Sequence, residues 1–203
     1  MEAGRFTAEI VGVEVSSRSG TVTLSTDEGP RKDTTAEGLG KLKPSFQKDG
    51  TVTAGNASTL NDGSSAVIVA SLAFAKAHGL KPLATITGYA TGGGEPKDLF
   101  FAPIFAVQNL MKKAGTTIGD YGLIEANEAF ASQCLADGRG LGWDWDRVNV
   151  NGGAIALGHP IGASGARVLT TLIYAMHDRR VATGFATLCL GGGNAVALSV
   201  EAA

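Results

Sequence analysis

The chain has 203 residues, of which 44% are hydrophobic and 18% charged, a composition typical of a globular protein rather than a disordered one. Its formal net charge of -2 indicates no basic surface for nucleic acid or a membrane, and its two cysteines are too few for a disulfide framework. The N-terminus is polar, no apolar run reaches about 18 residues, and no Cys/His spacing suits a metal. We therefore expect a cytoplasmic protein without a signal peptide, a membrane span or a metal site.

The first part of the chain predicts a hairpin followed by a long surface segment. The stretches "EIVGVEVSS" and "GTVTLSTDEG" alternate apolar and polar residues on either side of a turn at Ser19-Gly20. Residues 27–48 are rich in Gly, Lys and Thr without periodicity, and loops of this length are usually functional or disordered. These patterns divide the chain into residues 1–55 and a larger domain over residues 56–203.

The second part alternates helical and strand patterns. An Ala-rich run with a terminal glycine predicts a helix over residues 61–78. The other predicted helices cover 106–115, 128–137 and 166–177, and the predicted strands cover 83–93, 121–127, 181–190 and 195–203. This alternation is typical of an α/β fold, and the two closing strands, joined by "GGGN", form a hairpin that makes the sheet mixed.

The first motif with chemical potential is "EANEAF", in which Asn127 lies between a predicted strand and a predicted helix. Asn at such a junction can cap the helix by accepting a backbone N–H. It can also present its amide at the carboxyl end of a strand, where α/β proteins place their sites, and orient a water or an oxyanion donor there. The spacing alone leaves both interpretations open.

The second motif, "GHPIGASG", holds His159 in a turn between Gly158 and Pro160, just before a predicted helix. The glycines let other groups approach the backbone closely, and the helix start favours negative charge. The imidazole either satisfies a loop carbonyl or takes part in catalysis.

The third motif, "CLGGGNA", places Cys189 at the end of a predicted strand beside three glycines. A free thiol is most often a small buried hydrophobic group, which is our interpretation of Cys134 inside a helix. A thiol at a strand end can instead exchange a proton, and glycine N–H groups can form an oxyanion hole.

Together these motifs resemble the thiolase family of acetyl-CoA acetyltransferases. The resemblance rests on "TAGNAS" with "NDG" at 53–63, "NEAF" at 127–130, "NVNGGAIALGHPIGASGAR" at 149–167 and "CLGGG" at 189–193. It implies the C-terminal half of the thiolase fold, an α/β domain over residues 56–203 with a mixed five-stranded sheet covered by helices. Residues 1–55 would be the hairpin and part of the loop domain that precedes it.

The resemblance also implies catalytic roles. The histidine at position 159 would activate a nucleophilic cysteine and help bind the thioester oxygen. Asn127 would hold a water that completes this oxyanion hole. Cys189 would remove and return the α-proton of the substrate, and Gly191 would offer its backbone N–H to a second oxyanion hole.

Coenzyme A thioesters are the substrates that the resemblance implies, with no covalently bound cofactor. Ser58, Ala129 and Phe130 would lie near the pantetheine, and Arg31 and Phe46 near the nucleotide end. The family also implies a homo-oligomer.

One departure from the family pattern concerns the nucleophile. In thiolases the acyl-carrying cysteine lies in an N-terminal half, and neither Cys134 nor Cys189 occupies its place. We therefore expect a missing N-terminal half as partner, an exposed apolar face where it packs, and no turnover by this chain alone. The alternatives are a non-catalytic module that binds coenzyme A or a partner, and an enzyme that uses Cys189 and His159 as a nucleophile–base dyad.

Overall fold

The computed structural model describes the whole chain, residues 1–203. Six strands form a two-stranded hairpin and a separate four-stranded sheet: β1 Val13–Ser17, β2 Gly20–Leu24, β3 Ala84–Gly93, β4 Leu123–Ala126, β5 Thr183–Leu190 and β6 Asn194–Ala202. The helices are α1 Ala36–Gly40, α2 Leu72–Ala77, α3 Ala102–Ala114, α4 Ala131–Leu141, α5 Ala154–Leu157 and α6 Ser164–Arg179. No helix is long and apolar enough to cross a membrane.

The main sheet has the strand order β3-β6-β5-β4, in which β6 is antiparallel to both its neighbours and β4 is parallel to β5. The mixed α/β sheet is as predicted, but it has four strands rather than five, because the only other strands, β1 and β2, pair with each other. A parallel pair requires a long crossover connection. The crossover from β4 to β5 spans residues 127–182 and carries two of the three sequence motifs.

Helices cover both faces of this sheet. Successive residues of a strand point to opposite faces, so neighbouring residues of one strand pack against different helices. On β5, Phe185 packs in the cluster that includes α3, whereas Ala186 packs in the cluster that includes α6. Helix α6 buries Val168, Leu172 and Ala175, which lie on one side at helical spacing. Both faces of the sheet are thus occupied by the chain itself.

The predicted helix over residues 61–78 is wrong for most of its length. Helix α2 is only six residues long and is capped by Ser71, whose side chain accepts the backbone N–H of Phe74. Residues 61–71 form neither helix nor strand, and Ile68 in their midst is 94% exposed. The reason is that β-branched Val67, Ile68 and Val69 oppose a helix, and their side chains stay 43%, 94% and 72% exposed, so they form no buried face that would stabilise one.

The predicted hairpin is confirmed. Strands β1 and β2 pair in register from Val13 opposite Leu24 to Ser17 opposite Gly20. Every residue of both strands is exposed, so the hairpin stands away from the core. The ladder, the turn and a hydrogen bond between the side chains of Ser16 and Thr21 hold its two strands together.

Candidate active site

Asn127 lies at the carboxyl end of β4, fully buried. Its backbone N–H donates to the carbonyl of Thr187 on β5 at 3.0 Å, which extends the parallel ladder by one step. Helix α4 begins four residues later, at Ala131. Its N-cap residue is Phe130, and no side chain hydrogen-bonds to the free N–H groups of its first turn, so Asn127 does not cap this helix. The amide is therefore available to the site.

A short loop brings His159 to this amide. The backbone N–H of His159 donates to the carbonyl of Thr59 at 2.9 Å. Gly158 before it has φ 91°, and a Cβ there would overlap the side chain of Asn61. The imidazole Nε2 then lies 3.5 Å from the side-chain Nδ2 of Asn127.

The environment of His159 favours the neutral ring. Partial burial lowers the pKa of the imidazole, and the positive charge of Arg167 lowers it further. A neutral imidazole has one nitrogen with a free lone pair and can act as a general base.

Cys189 lies one residue before the end of β5, opposite Ala195 on β6, and its thiol is free and half-buried. Burial raises the pKa of this thiol, and the negative charge of Asp137 adds to the effect. The turn after it contains Gly191, which is exposed and has open space around it. The side chain of His159 hydrogen-bonds to Asn127 and Ser164 and not to Cys189, so the structure does not support a nucleophile–base dyad.

The sheet brings the three motifs to one edge. Because β4 and β5 are parallel neighbours, their carboxyl ends meet at the same edge, which places Asn127 beside the end of β5 that carries Cys189. His159 joins them through the amide of Asn127. The geometry therefore unites an imidazole, an amide, a thiol and a glycine turn.

Four of the five expected substrate-binding residues also lie together. Ser58 donates to the carbonyl of Ala129 through both its N–H, at 3.1 Å, and its hydroxyl, at 3.0 Å. The rings of Phe46 and Phe130 meet edge to face with centroids 6.2 Å apart. Arg31 does not join this group of contacts. Its side chain is exposed and makes no hydrogen bond or ion pair.

Glu128 is a residue that the sequence did not single out. Its carboxylate accepts the backbone N–H of Ile155 at 3.1 Å and the side-chain amide of Asn149 at 3.0 Å. A Cβ on Gly153 would overlap this carboxylate, so glycine is required there. Glu128 thereby anchors the loop that carries His159. The acidic residue directly after Asn127 was the signal available in the sequence.

A buried carboxyl and a guanidinium lie close to each other near the same loop. Arg167, in the second turn of α6, lies 3.8 Å from Glu125, whose carboxyl is almost completely buried. Burial raises the pKa of Glu125 to about 8, although the charge of Arg167 opposes this rise. The pair holds the start of α6 against β4.

This fold and this edge define an α/β protein that brings together groups able to exchange protons and to stabilise an oxyanion. Comparison with known families identifies the group. Residues 1–73 match the N-terminal domain of thiolase and residues 80–202 match its C-terminal domain. The chain belongs to the thiolase family.

Individual relatives agree with this assignment. Acetyl-CoA acetyltransferase from Escherichia coli (strain K12) is 54% identical over 99% of this chain and 51% of its own length. The corresponding protein from Pseudomonas aeruginosa is 56% identical over 98% of this chain and 51% of its own length. The chain spans about half the length of the curated relatives it matches.

Solved structures confirm the expected fold. The Bacillus anthracis acetyl-CoA acetyltransferase superposes with a TM-score of 0.97 at 47% identity, covering 100% of this chain and 51% of that one. Human mitochondrial 3-ketoacyl-CoA thiolase in complex with CoA superposes with a TM-score of 0.91 at 43% identity, covering 100% and 50%. The two matched family domains meet between residues 73 and 80, and our division at residue 55 stays a prediction.

Proposed function

We propose that this chain supplies one half of a thiolase active site. The complete site would condense two molecules of acetyl-CoA to acetoacetyl-CoA, or cleave a 3-ketoacyl-CoA with CoA. The observation that carries the proposal is the 3.5 Å approach of Asn127 and His159 at the strand edge that also bears Cys189. Residues 32 positions apart in sequence meet there in the arrangement that the chemistry needs.

The condensation requires a carbanion beside a thioester carbonyl. The thiolate of Cys189 takes the α-proton of one acyl thioester, and the electron pair attacks the acyl group held on a second cysteine. That cysteine leaves as a thiolate. His159 in its imidazolium form, together with a water on the amide of Asn127, stabilises one carbonyl oxygen, and the N–H of Gly191 stabilises the other.

Coenzyme A would run from this edge across the segment that carries Ser58. The half-buried hydroxyl of Ser58 and the ring of Phe130 would line the pantetheine, next to Ala129. Phe46 and the unpaired guanidinium of Arg31 would face the nucleotide, whose phosphates a free cation attracts. We expect coenzyme A thioesters as substrates and no covalently bound cofactor.

The partner that we propose is the complementary N-terminal half of a thiolase, which would bring the acyl-carrying cysteine. Cys134 cannot take this role, because it is buried in α4 and burial raises the pKa of its thiol to about 12. The half-length match to relatives and the exposed apolar residues before α2, such as Ile68, support a missing partner surface. The cytoplasmic location and the homo-oligomer stay predictions, and the thiolase reaction adds a further one, a role in fatty acid metabolism.

The test is thiolysis of acetoacetyl-CoA by this chain alone and after mixing with a separately produced N-terminal half of the Escherichia coli relative. We expect no turnover alone and turnover on mixing, which His159→Ala abolishes. His78→Ala is the matched control, because this exposed histidine stacks on Phe74 away from the site. Turnover by the chain alone would overturn the proposal and assign the acyl group to Cys189.

The mixing experiment also distinguishes half of a thiolase site from the second candidate function, binding of coenzyme A without catalysis. If the mixture stays inactive while calorimetry shows that the chain binds CoA, then the chain is a non-catalytic module that binds coenzyme A.

A further inference from the structure

The hydroxyl of Ser164 touches the nitrogen of His159 that faces away from the site. Ser164 is the first residue of α6 and is completely buried. Its Oγ lies 2.6 Å from Nδ1 of His159 and 3.1 Å from the carbonyl oxygen of Pro160. None of the catalytic roles described above uses this residue.

The carbonyl fixes the direction of the Ser164 hydrogen bonds. A carbonyl oxygen only accepts, so the single hydroxyl hydrogen of Ser164 points to Pro160, four residues earlier, as serine and threonine commonly do in helices. Thr170 in the same helix donates to the carbonyl of Ala166 in this way, at 2.9 Å. With its hydrogen bonded to Pro160, the Ser164 oxygen presents only lone pairs to Nδ1 of His159, and in this arrangement Nδ1 donates to it.

The other ring nitrogen meets a donor. The side-chain Nδ2 of Asn127 carries two hydrogens and no acceptor lone pair, and it faces Nε2 of His159. A proton on Nε2 would point at these hydrogens. Ser164 on one side and Asn127 on the other therefore select the same tautomer.

We propose that Ser164 is a positioning residue that holds His159 in the Nδ1–H tautomer and leaves the Nε2 lone pair directed at the site. The tautomer itself follows from contacts within the chain, whereas the use of the Nε2 lone pair in catalysis rests on the proposed function. In that use, Nε2 accepts the S–H proton of the attacking thiol, which becomes a thiolate while the ring becomes an imidazolium. The Nδ1–H bond to Ser164 persists throughout, so no group has to rearrange as the proton moves.

The tautomer can be measured directly in this chain without substrate or partner. The three histidines of the chain give few ring-nitrogen resonances in a long-range ¹H–¹⁵N spectrum of histidine-labelled protein, and His159→Ala assigns those of residue 159. We expect protonated Nδ1 and unprotonated Nε2 for His159 at neutral pH. Ser164→Ala should shift the population towards Nε2–H, which free imidazole side chains favour, and Ser164→Thr should restore Nδ1–H.

The matched control is Thr170→Ala, which removes a hydroxyl with the same helical hydrogen bond but no contact with His159. It should leave the tautomer unchanged, and unchanged resonances of His78 and His177 show that each variant is folded. Finding Nε2–H in the unmodified chain overturns the proposal, and so does an unchanged tautomer in folded Ser164→Ala. Because this readout needs no turnover, failure of the mixing experiment with Nδ1–H intact would count against the proposed function alone.

Discussion

The two segments that match the two thiolase domains differ sharply in how they are packed. Of the 42 buried residues in the chain, residues 1–73 contribute only Phe6, whereas residues 80–202 carry both hydrophobic clusters. The second segment buries its own sheet on both faces, and the first exposes nearly all of its apolar side chains. Fold stability therefore resides in the second segment.

The site nevertheless depends on both segments. Thr59 and Asn61 of the first segment contact the backbone of the loop that carries His159, and Ser58 bonds to the segment that follows Asn127. The exposed segment thus contributes to the shape of the candidate active site without contributing to the core. Stability and site geometry can be perturbed separately in this molecule.

The largest expected difference comes from deleting a leucine side chain in each segment. Leu172 on α6 is completely buried, and Leu172→Ala should lower the free energy of unfolding by about 2–5 kcal/mol, because it loses buried apolar area and leaves a cavity. Leu24 on β2 is 56% exposed, and Leu24→Ala should cost less than about 0.5 kcal/mol. Urea unfolding followed by circular dichroism measures both values. Equal losses in the two variants would refute the division of stability between the segments.

A smaller effect depends on pH and on Asp137, a completely buried carboxyl on α4 to which the side chain of Gln133 donates a hydrogen bond. Burial raises the pKa of Asp137 from 3.8 to about 7, so between these pH values the folded chain binds more protons than the unfolded one. The free energy of unfolding therefore falls as pH rises through this window, by at most about 4 kcal/mol, and the loss is complete above about pH 7.

Asp137→Asn should remove this loss. Relative to the unmodified chain, the variant should gain stability progressively from pH 4 to pH 8, as measured by urea titrations at each pH. Asp146→Asn, at an exposed residue, is the matched control for the loss of a carboxylate and should change the free energy of unfolding by no more than about 0.5 kcal/mol. A pH-independent difference for Asp137→Asn would mean that this carboxyl is ionised in the folded chain at all these pH values.

The sequence predicts the second segment well, because its elements bury one face each. The apolar spacing of Val168, Leu172 and Ala175 predicts α6, and the alternation of helical and strand patterns predicts a mixed sheet covered by helices. Residues 61–71 were misread as a helix because alanines favour helices, although the Val-Ile-Val run favours extended backbone. The backbone conformation of these residues therefore follows the intrinsic preference of the Val-Ile-Val run, because these side chains form no buried face that would stabilise a helix.

The groups that support the site were missed for a different reason. The hydrogen bond from His159 to Ser164 depends on a turn that sequence spacing does not reveal, and the ion pair of Glu125 with Arg167 joins a strand to a helix 42 positions later. The motifs predict which side chains would meet a substrate. The partners behind those side chains become visible only once the backbone is placed.

The smallest effect on stability tests the exposed segment itself. Ile68→Lys places a charge where the side chain is 94% exposed, so the free energy of unfolding should change by no more than about 0.5 kcal/mol. Self-association by light scattering and binding of an apolar dye should both decrease, because the Val-Ile-Val run forms an exposed apolar patch. Leu24→Lys, on the exposed hairpin, is the control. It should leave self-association unchanged if the chain associates through residues 61–71 rather than through the hairpin. A large loss of stability in Ile68→Lys would mean that Ile68 packs against the body of the chain. The claim that residues 1–73 contribute little to the stability of the fold would then be wrong for the residues next to α2.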